Sequence, residues 1–542
     1  MVIFFVFLTA LFIAMVLVAL LMRWAPVLRL VDIPDERKVH ANAIPRIGGV
    51  GMVLGFVASV LIWINAAHEV RVLLSAVLVI AGFGLWDDRA NLDYKLKFAG
   101  QLLAVLIAVF PGGVVIEKLS FWGGETLPDF VSIPLTVFFV LGMTNAMNLS
   151  DGLDGLAAGL AMLSLVCVMA LGTLAEDTHE LMLLSVAIIG STLGFLRYNT
   201  HPAQVFMGDT GSQFLGFSLG VLAIRLTQQE NTALAPELPL LILGLPIIDT
   251  LIVMVSRMAK KRSPFKPDRN HLHHKLLELG FDHYEAVLVI YVIQSVFVVS
   301  AYLMRYESAW LLLSVYAAAS LVIVVSYPLA MAFGWRLRDF IPGQVSLISQ
   351  GIRRLRKNRW LEKIPYFLVS YLVFGFMVVG SLFANRFPSD VGYFAMMVVP
   401  VSLLLGAGKL PIASLAQRLG IYSCAIVVIY LLEGTRCLNE GGCSASIKYF
   451  FVGLAVLIAL GVRYSGRDFF ALTPSDFLVM FILLAVAYLP VFQELNYAKL
   501  AIESAVLLYG VEFVLRRHRS PTRMIWGGAL TGLMIVGGRV LL

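Results

Sequence analysis

Long apolar stretches dominate the chain and alternate with short polar segments. The first is Val2–Met22, the last is Met524–Leu542, and the stretch Leu238–Met258 is typical of the rest. Most are close to the length of about 20 residues that a helix needs to cross a bilayer. They lack the two-residue alternation of membrane β-strands. The pattern therefore predicts an all-α, polytopic transmembrane helical bundle of about 18 spans.

Composition excludes two other classes of protein. Hydrophobic residues make up 59% of the 542 positions and charged residues only 14%. Soluble domains have about 45–50% and 25%, and disordered chains are poorer still in apolar residues. The composition therefore indicates a protein whose main solvent is the lipid bilayer.

The net charge of +7 has a specific distribution along the chain. With the first connecting loop placed in the cytoplasm, most Lys and Arg residues fall in odd-numbered loops. Cytoplasmic loops of membrane proteins carry such an excess. We therefore expect both termini outside, and we attribute the basic balance to topology rather than to nucleic acid, for which no binding is expected.

The polar residues divide the chain into parts. Residues 1–333, with about 11 predicted spans, contain every dense polar motif. Residues 334–364 form a basic cytoplasmic linker, read equally well as an interfacial amphipathic helix or as a plain loop. Residues 365–542, with about seven predicted spans, form a C-terminal membrane module without motifs, so the sequence assigns it no role.

Five polar motifs all occupy odd-numbered loops and therefore converge on the predicted cytoplasmic face. Because Asp, Asn and His are costly in or beside membrane spans, such clusters usually have a function. A transporter would instead place polar residues near the middle of the bilayer. The five motifs are Val31–Gly49, Trp86–Gln101, Asn145–Gly159, Phe206–Ser212 and Arg257–Gly280.

The residue types in these motifs suit a phosphate site that contains a metal ion. Asp87 and Asp88 are paired carboxylates at a helix end. Polar residues recur every three positions from Asn145 to Asp154, so neighbours share a helix face. Asp209 lies among small residues. Carboxylate and amide oxygens are hard ligands that suit Mg²⁺.

A histidine cluster lies in the last motif among several Lys and Arg residues, which suits phosphate. Taken singly, these motifs have simpler interpretations. The Asp pair is compatible with a solvated helix cap, the histidines with a zinc site, and the Asp209 segment with a turn and a cap. Together on one face, they favour a phosphate-handling site with Mg²⁺. The histidines are His271, His273 and His274.

The ordered set of motifs resembles the polyprenyl-phosphate N-acetylhexosamine-1-phosphate transferases of glycosyltransferase family 4. The resemblance covers about residues 1–300. The motifs that carry it are DERKVHANAIPRIGG, WDD followed by KFAGQ, NAMNLSDGLDGLAAG, FMGDTGS, PIIDT and PDRNHLHH. It is nearest to the branch that uses UDP-N-acetylglucosamine. The branch that transfers phospho-N-acetylmuramoyl-pentapeptide typically has three adjacent histidines, whereas this chain has His-Leu-His-His.

The resemblance implies an enzyme that transfers a sugar-1-phosphate from a UDP-N-acetylhexosamine to polyprenyl phosphate and releases UMP. It implies Mg²⁺ as cofactor, with Mn²⁺ as an alternative. It also implies a multi-pass protein of the bacterial inner membrane, with its site on the cytoplasmic face, that initiates an envelope polysaccharide. The pentapeptide transferase and a lipid-linked-sugar transporter are the alternatives, and a homodimer is left open.

The resemblance also implies roles for individual residues. Asn148 and Asp209 would bind the metal. Asp87, Asp88 and Lys97 would act at the lipid phosphate, and Asp151 would belong with the catalytic carboxylates. The uracil would be held by Asp154, Gly155, Leu156 and Phe206, and the diphosphate or sugar would meet His271, His273 and His274.

The state of the lipid phosphate limits one of these roles. The second pKa of a phosphate monoester is near 6, so at pH 7 the acceptor is mostly a dianion. It therefore needs little help from a general base, and we expect Asp87 to be less than essential for proton removal. The sequence leaves open both a single displacement and a double displacement through an aspartyl-phosphate.

Overall fold

A computed structural model describes most of the chain, and every structural statement below concerns the described residues. They are 2–32, 43–64, 67–123, 125–174, 179–230, 233–261, 270–337, 359–384, 387–406, 413–433, 441–464, 473–488, 497–515 and 519–541. Much of the first polar motif (33–42), part of the last one (262–269) and most of the basic linker (338–358) lie outside them.

The chain divides into two compact units. Unit 1 comprises Met1–Pro342 together with Thr473–Ile482, and unit 2 comprises Gly343–Leu472 with Leu483–Leu542. The short segment 473–482 therefore groups with a part of the chain from which it is distant in sequence.

The described part of unit 1 is built from helices and one short strand pair. Strand β1 (Val31–Asp32) pairs antiparallel with β2 (Ile44–Pro45). The helices are α1 (Val2–Leu28), α2 (Gly48–Trp63), α3 (His68–Ala90), α4 (Tyr94–Val109), α5 (Asp129–Ser150), α6 (Leu156–Gly172), α7 (His179–Asn199), α8 (Gly208–Arg225), α9 (Pro239–Ile242), α10 (Gly244–Ala259), α11 (Leu272–Glu278), α12 (His283–Leu303) and α13 (Ala309–Ala332).

The helices after residue 358 follow the same apolar pattern. Within unit 2, the last of them packs against the first three, and Arg418 and Tyr422 both contact Glu512. The helices are α14 (Arg359–Phe383), α15 (Ser389–Gly406), α16 (Ala413–Glu433), α17 (Gly441–Tyr464), α18 (Pro474–Tyr488), α19 (Tyr497–Leu515) and α20 (Arg519–Leu541).

Length and apolar composition make this an all-α, polytopic membrane protein, as the sequence predicts. Eight described helices are long and apolar enough to cross a bilayer, and five further apolar helices are shorter. A helix rises 1.5 Å per residue, so about 20 residues match the hydrocarbon thickness. The count of about 18 spans and the outside position of both termini stay predictions.

The predicted continuous span Leu238–Met258 is wrong in one detail, because the helix is interrupted between α9 and α10 at Leu243. Pro246 has no N–H to donate to the carbonyl of Ile242. That carbonyl instead accepts hydrogen bonds from Ser164 Oγ (2.8 Å) and Gln294 Nε2 (2.9 Å). The Gln294 side chain also accepts the N–H of Leu245 (3.1 Å), so two side chains replace the missing backbone bonds.

Helix α8 is the centre of unit 1 and packs against α2, α3, α5 and α6. It approaches α5 closely at Gly216, where a Cβ would lie 2.7 Å from Thr144 Cα. Within this packing, Gln101, Asn145 and Gln213 form a chain of side-chain amide hydrogen bonds between α4, α5 and α8. Unpaired amides are costly in an apolar interior, so the network favours one register of the three helices.

Candidate active site

The end of α3 meets the beginning of α8 through the carboxylate of Asp88. Asp88 Oδ1 accepts the N–H of Asp209 (2.7 Å), and Oδ2 accepts the N–H (3.0 Å) and hydroxyl (2.7 Å) of Thr210. A carboxylate there satisfies donors that a helix start otherwise leaves unpaired, and its charge suits the helix dipole. Both oxygens of Asp88 are therefore used in positioning Asp209.

Two glycines make this approach of α3 and α8 sterically feasible. A Cβ on Gly208, which has φ +65°, would lie 2.5 Å from both carboxylate oxygens of Asp88. A Cβ on Gly84 would lie 2.7 Å from Thr210 Cα. Any side chain at either position would push Asp88 and the start of α8 apart.

Asp209 is the point at which four helices contribute polar groups. Its Oδ2 contacts the ammonium of Lys97, from the first turns of α4, and its Oδ1 accepts a hydrogen bond from Asn148 Nδ2 of α5 (2.6 Å). The same Asn148 amide contacts Ser212 Oγ at 2.8 Å. Lys97 also pairs with Asp87 Oδ2 of α3 at 3.0 Å. One ammonium thus bridges two carboxylates.

Asp87 has a second contact that fixes its orientation. Its Oδ1 accepts the N–H of Leu92 at 2.7 Å, just after α3 ends at the left-handed residue Asn91. Asp87 and Asp88 are adjacent in sequence but differ in surroundings, because Asp87 faces Lys97 whereas Asp88 faces the start of α8.

The loop between α5 and α6 adds another carboxylate to this cluster. Burial, together with the neighbouring carboxylates of Asp209, Asp88 and Asp154, raises the pKa of Asp151 to about 7, while Arg46 opposes them. Among the described residues, these four carboxylates outnumber the cations Lys97 and Arg46.

The same loop carries a second polar cluster around Asp154. Asp154 Oδ2 accepts hydrogen bonds from His201 Nδ1 (2.6 Å) and the N–H of Ala203 (3.1 Å). These two donors and the adjacent His283 hold the pKa of Asp154 below its ordinary value, although burial opposes them.

Asp154, His201 and His283 have the side-chain types of a metal site and lie close together. The two imidazole rings are stacked, however, with centroids 3.9 Å apart and planes at 18°. Ring-nitrogen lone pairs lie in the ring plane, so one ion cannot be in line with both rings. The arrangement instead suits a carboxylate oriented by hydrogen bonds, with one histidine packed on the other.

The three motif histidines lie in and before the short helix α11. His271 Nδ1 contacts Asp249 Oδ2 of α10 (2.8 Å), while Asp249 Oδ1 accepts the N–H of Leu272 (2.8 Å). The ring of His273 stacks on that of His271, with centroids 5.8 Å apart, and is tilted by 45° against that of His274, with centroids 4.2 Å apart. Burial, together with the two neighbouring histidines, lowers the pKa of His273 to about 3. His273 is therefore neutral at pH 7.

His273 connects this cluster to the loop between α5 and α6. A Cβ on Gly152 would lie 2.3 Å from His273 Nε2, so the imidazole lies directly against that glycine. The structure thereby brings the histidine motif next to the carboxylates.

Three residues that the resemblance assigned to the uracil occupy different surroundings. Gly155 has φ +80° and donates its N–H to Asn199 Oδ1 (2.8 Å). Leu156 begins α6 and is only 2% exposed, so it packs in the core. Phe206 is half-buried, and its backbone N–H donates a hydrogen bond to Pro45 O of strand β2 (2.8 Å).

The glycine pair at the start of α2 extends that backbone contact. Gly48 and Gly49 donate their N–H groups to Phe206 O and Met207 O, each at 3.0 Å. A Cβ on Gly49 would lie 2.3 Å from Gly211 N. The RIGG sequence is therefore explained by direct contact between backbones.

Several residues of the site carry no assigned role in the sequence analysis. Asp249 lies in the quoted PIIDT sequence, whose Asp in a predicted span could have marked it. Thr210 lies in the FMGDTGS motif, but nothing local shows that its hydroxyl serves Asp88. His201 and His283 stand outside every motif, and only the fold brings them to Asp154.

Comparison with known proteins supports one family. A family model described as glycosyl transferase family 4 matches residues 70–227. A Bacillus subtilis protein, named probable undecaprenyl-phosphate N-acetylglucosaminyl 1-phosphate transferase, is 38% identical over 313 residues, which cover 56% of this chain and 86% of that protein.

Two further relatives agree. The decaprenyl-phosphate N-acetylglucosaminephosphotransferase of Mycobacterium tuberculosis H37Rv is 36% identical over 288 residues, covering 48% of this chain and 71% of that protein. The undecaprenyl-phosphate α-N-acetylglucosaminyl 1-phosphate transferase of Escherichia coli K12 is 28% identical over 341 residues, covering 61% and 89%. The comparisons therefore identify the family of this multi-pass membrane protein, whose candidate site lies at the ends of several helices. The chain belongs to glycosyl transferase family 4.

Proposed function

We propose that this protein transfers N-acetylglucosamine-1-phosphate from its UDP derivative to polyprenyl phosphate and releases UMP. The observation that carries the proposal is the joint contact of Asp209 with Lys97 and Asn148, held in place by Asp88. The names of the relatives supply the sugar and the lipid. The distribution of Lys and Arg supports a site on the cytoplasmic face of a bacterial inner membrane. The product would begin an envelope polysaccharide.

The donor set fits a divalent cation of the Mg²⁺ type, with Mn²⁺ as the alternative. Asp209 offers a carboxylate, and a half-turn of the Asn148 amide would present its oxygen toward the same point. The excess of carboxylates around Asp151 also favours an additional cation. When bound, such an ion would neutralise phosphate charge in the transition state.

The reaction that we propose is an in-line displacement. An oxygen of the lipid phosphate bonds to the β-phosphorus of the UDP-sugar, the bond from that phosphorus to the bridging oxygen breaks, and UMP leaves with that oxygen. The attacking phosphate is mostly a dianion at pH 7, so no side chain needs to take a proton from it. Lys97, between Asp87 and Asp209, is placed to pair with phosphate oxygens.

The occupied carboxylates favour a single displacement. Asp88 uses both oxygens at the start of α8, Asp87 accepts Leu92 N–H and pairs with Lys97, and Asp209 contacts Lys97 and Asn148. A covalent aspartyl-phosphate would require one of them to give up these contacts. We therefore assign Asp87 to orienting Lys97 and Asp88 to positioning Asp209.

The nucleotide and sugar ends have separate candidates. The carboxylate of Asp154, oriented through Oδ2 by His201 and Ala203, is suited to accept a nucleobase N–H. Phe206 lies in the adjacent segment, while Gly155 and Leu156 shape the turn behind Asp154. His273 lies against Gly152, and its neighbours His271 and His274 are the candidates to meet the diphosphate or sugar.

The decisive test is UMP release by the purified full chain in nanodiscs. We expect release from UDP-N-acetylglucosamine only with polyprenyl phosphate and Mg²⁺ or Mn²⁺ both present, and no release after chelation. Asp129→Asn is the control variant, because Asp129 is exposed at the opposite end of α5 from Asn148. Movement of a lipid-linked sugar without UMP formation would support a transporter and contradict the proposal.

A further inference from the structure

The segment Thr473–Ile482 belongs to unit 1, although the chain on both sides of it belongs to unit 2. It forms the first part of α18, and its start is fixed locally. Asp476 Oδ2 accepts hydrogen bonds from the N–H (2.6 Å) and the hydroxyl (3.0 Å) of Thr473. Leu478 is fully buried. The segment is thus an ordered helix start with an apolar side that is covered.

Its first contact with the site is through a pair of hydroxyls. Ser475 Oγ lies 2.9 Å from Thr200 Oγ1. The Thr200 hydroxyl donates a hydrogen bond to Leu196 O (2.8 Å), so it accepts a hydrogen bond from the Ser475 hydroxyl. The next residue is His201, whose ring holds Asp154. Ser475 therefore fixes the chain directly before the donor to Asp154.

Its second contact is an aromatic pair. The ring of Phe477 stacks on that of Tyr291, with centroids 6.4 Å apart and planes at 27°. Tyr291 is fully buried, and its hydroxyl donates to Gly155 O (2.7 Å), next to Asp154. A Cβ on Gly159 would lie 2.1 Å from the Tyr291 hydroxyl, so the ring lies directly across α6.

We propose that Thr473–Ile482 is a positioning segment for the nucleotide end of the site. It supports the two chain segments that flank Asp154, one through Ser475 and one through Phe477. No contact of these two residues with Lys97 or Asp209 occurs among the described residues. The segment therefore acts on UDP-sugar binding and leaves lipid phosphate binding unchanged. This inference rests on the proposed assignment of Asp154 to the nucleobase.

Substitution in the full-length protein tests the predicted selectivity. We expect Phe477→Ala combined with Ser475→Ala to raise KM for UDP-N-acetylglucosamine by about two- to tenfold, the range that one aromatic pair supports. KM for polyprenyl phosphate should not change. Phe477→Leu should recover part of the loss. Met480→Ala is the control, because Met480 is on the same helix and 58% exposed.

The pattern of change separates positioning from general destabilisation. Both substrates would show a higher KM, or kcat alone would fall, if the substitutions only weakened the fold. Either of these results would overturn the inference, as would an unchanged KM for the UDP-sugar. Thermal unfolding of each variant, measured in the same nanodiscs, shows how far stability changes alongside the kinetics.

A cross-link tests the placement without any activity. Thr200→Cys with Ser475→Cys should form a disulfide on mild oxidation, because the two oxygens that the sulfurs replace are 2.9 Å apart. The linked peptides would be found by mass spectrometry, and Thr200→Cys with Met480→Cys should not link. Failure of the first pair to link overturns the inference. If this pair links but the wild-type chain releases no UMP, the proposed function is contradicted and the placement stands.

Discussion

Replacing Asp88 with Asn removes a charge from the start of α8 while keeping the side-chain volume. Asp88 accepts three hydrogen bonds from Asp209 and Thr210. The amide of Asn has only one acceptor oxygen. Its NH₂ group would therefore face at least one of the backbone N–H groups of Asp209 and Thr210, which are both donors. We therefore expect Asp88→Asn to displace the start of α8, and Asp209 with it.

The size of the effect follows from the bonds that are lost. A hydrogen bond to a charged group contributes about 1.5–3 kcal/mol, and a charge at a helix start adds about 0.3–1 kcal/mol. Loss of one such bond and of the charge amounts to roughly 2–4 kcal/mol, or about 30- to 1000-fold in rate. Because Asp88 positions Asp209, the midpoint for Mg²⁺ should also move to higher concentration.

The assay is UMP release at saturating substrates, titrated with Mg²⁺, in Asp88→Asn, Asp87→Asn and the control Asp129→Asn. Asp87→Asn keeps an oxygen for Leu92 N–H and loses mainly its charge beside Lys97, so we expect a fall of about tenfold or less. An Asp88→Asn protein with wild-type kcat and an unchanged Mg²⁺ midpoint would refute the positioning role. A larger loss in Asp87→Asn than in Asp88→Asn would refute the argument that the lipid phosphate needs no base.

Three further outcomes follow from the site. Asp209→Asn should lower kcat by more than about a thousandfold with little change in thermal stability, since it removes charge from the contact shared by several groups; residual activity near that of wild type would exclude Asp209 as a ligand. Gly152→Ala should abolish most activity because its Cβ would collide with His273, whereas Gly142→Ala on α5, with open space around it, should not. Because the pKa of His273 is lowered to about 3, its contribution to stability is complete above about pH 6.5 and falls as the pH drops toward 3. His273→Asn should flatten the fall of the unfolding temperature between pH 7 and pH 5, and an unaltered slope would contradict this.

The sequence predicts most helices and the gathering of motifs, since both depend on local patterns. The predicted apolar stretch Val2–Met22 lies wholly within α1. The break at Leu243 is missed because its cause, the loss of a hydrogen bond by Pro246, is compensated by Ser164 and Gln294 from distant helices.

Pairings between distant residues are the part of the site that periodicity does not reveal. Asp88 and Thr210 are separated by 122 residues, and Thr200 and Ser475 by 275. Contacts between residues so far apart in sequence produce no periodic pattern from which they could be predicted. The sequence identifies the carboxylates as candidate site residues. Only the structure shows that Asp87 contacts Lys97 whereas Asp88 contacts the start of α8.

The separation between Asp88 and Asp209 has a consequence for biogenesis. At about 5–20 residues per second, a ribosome needs roughly 6–24 s to proceed from one to the other. During that interval α3 can enter the bilayer while its terminal carboxylate still lacks the start of α8. An unpaired carboxylate is tolerable at a water-facing helix end and costly at depth. During synthesis, this end of α3 is therefore expected to remain in the aqueous phase until α8 has been made. The hydrogen bonds between Asp88 and the start of α8 can form only then.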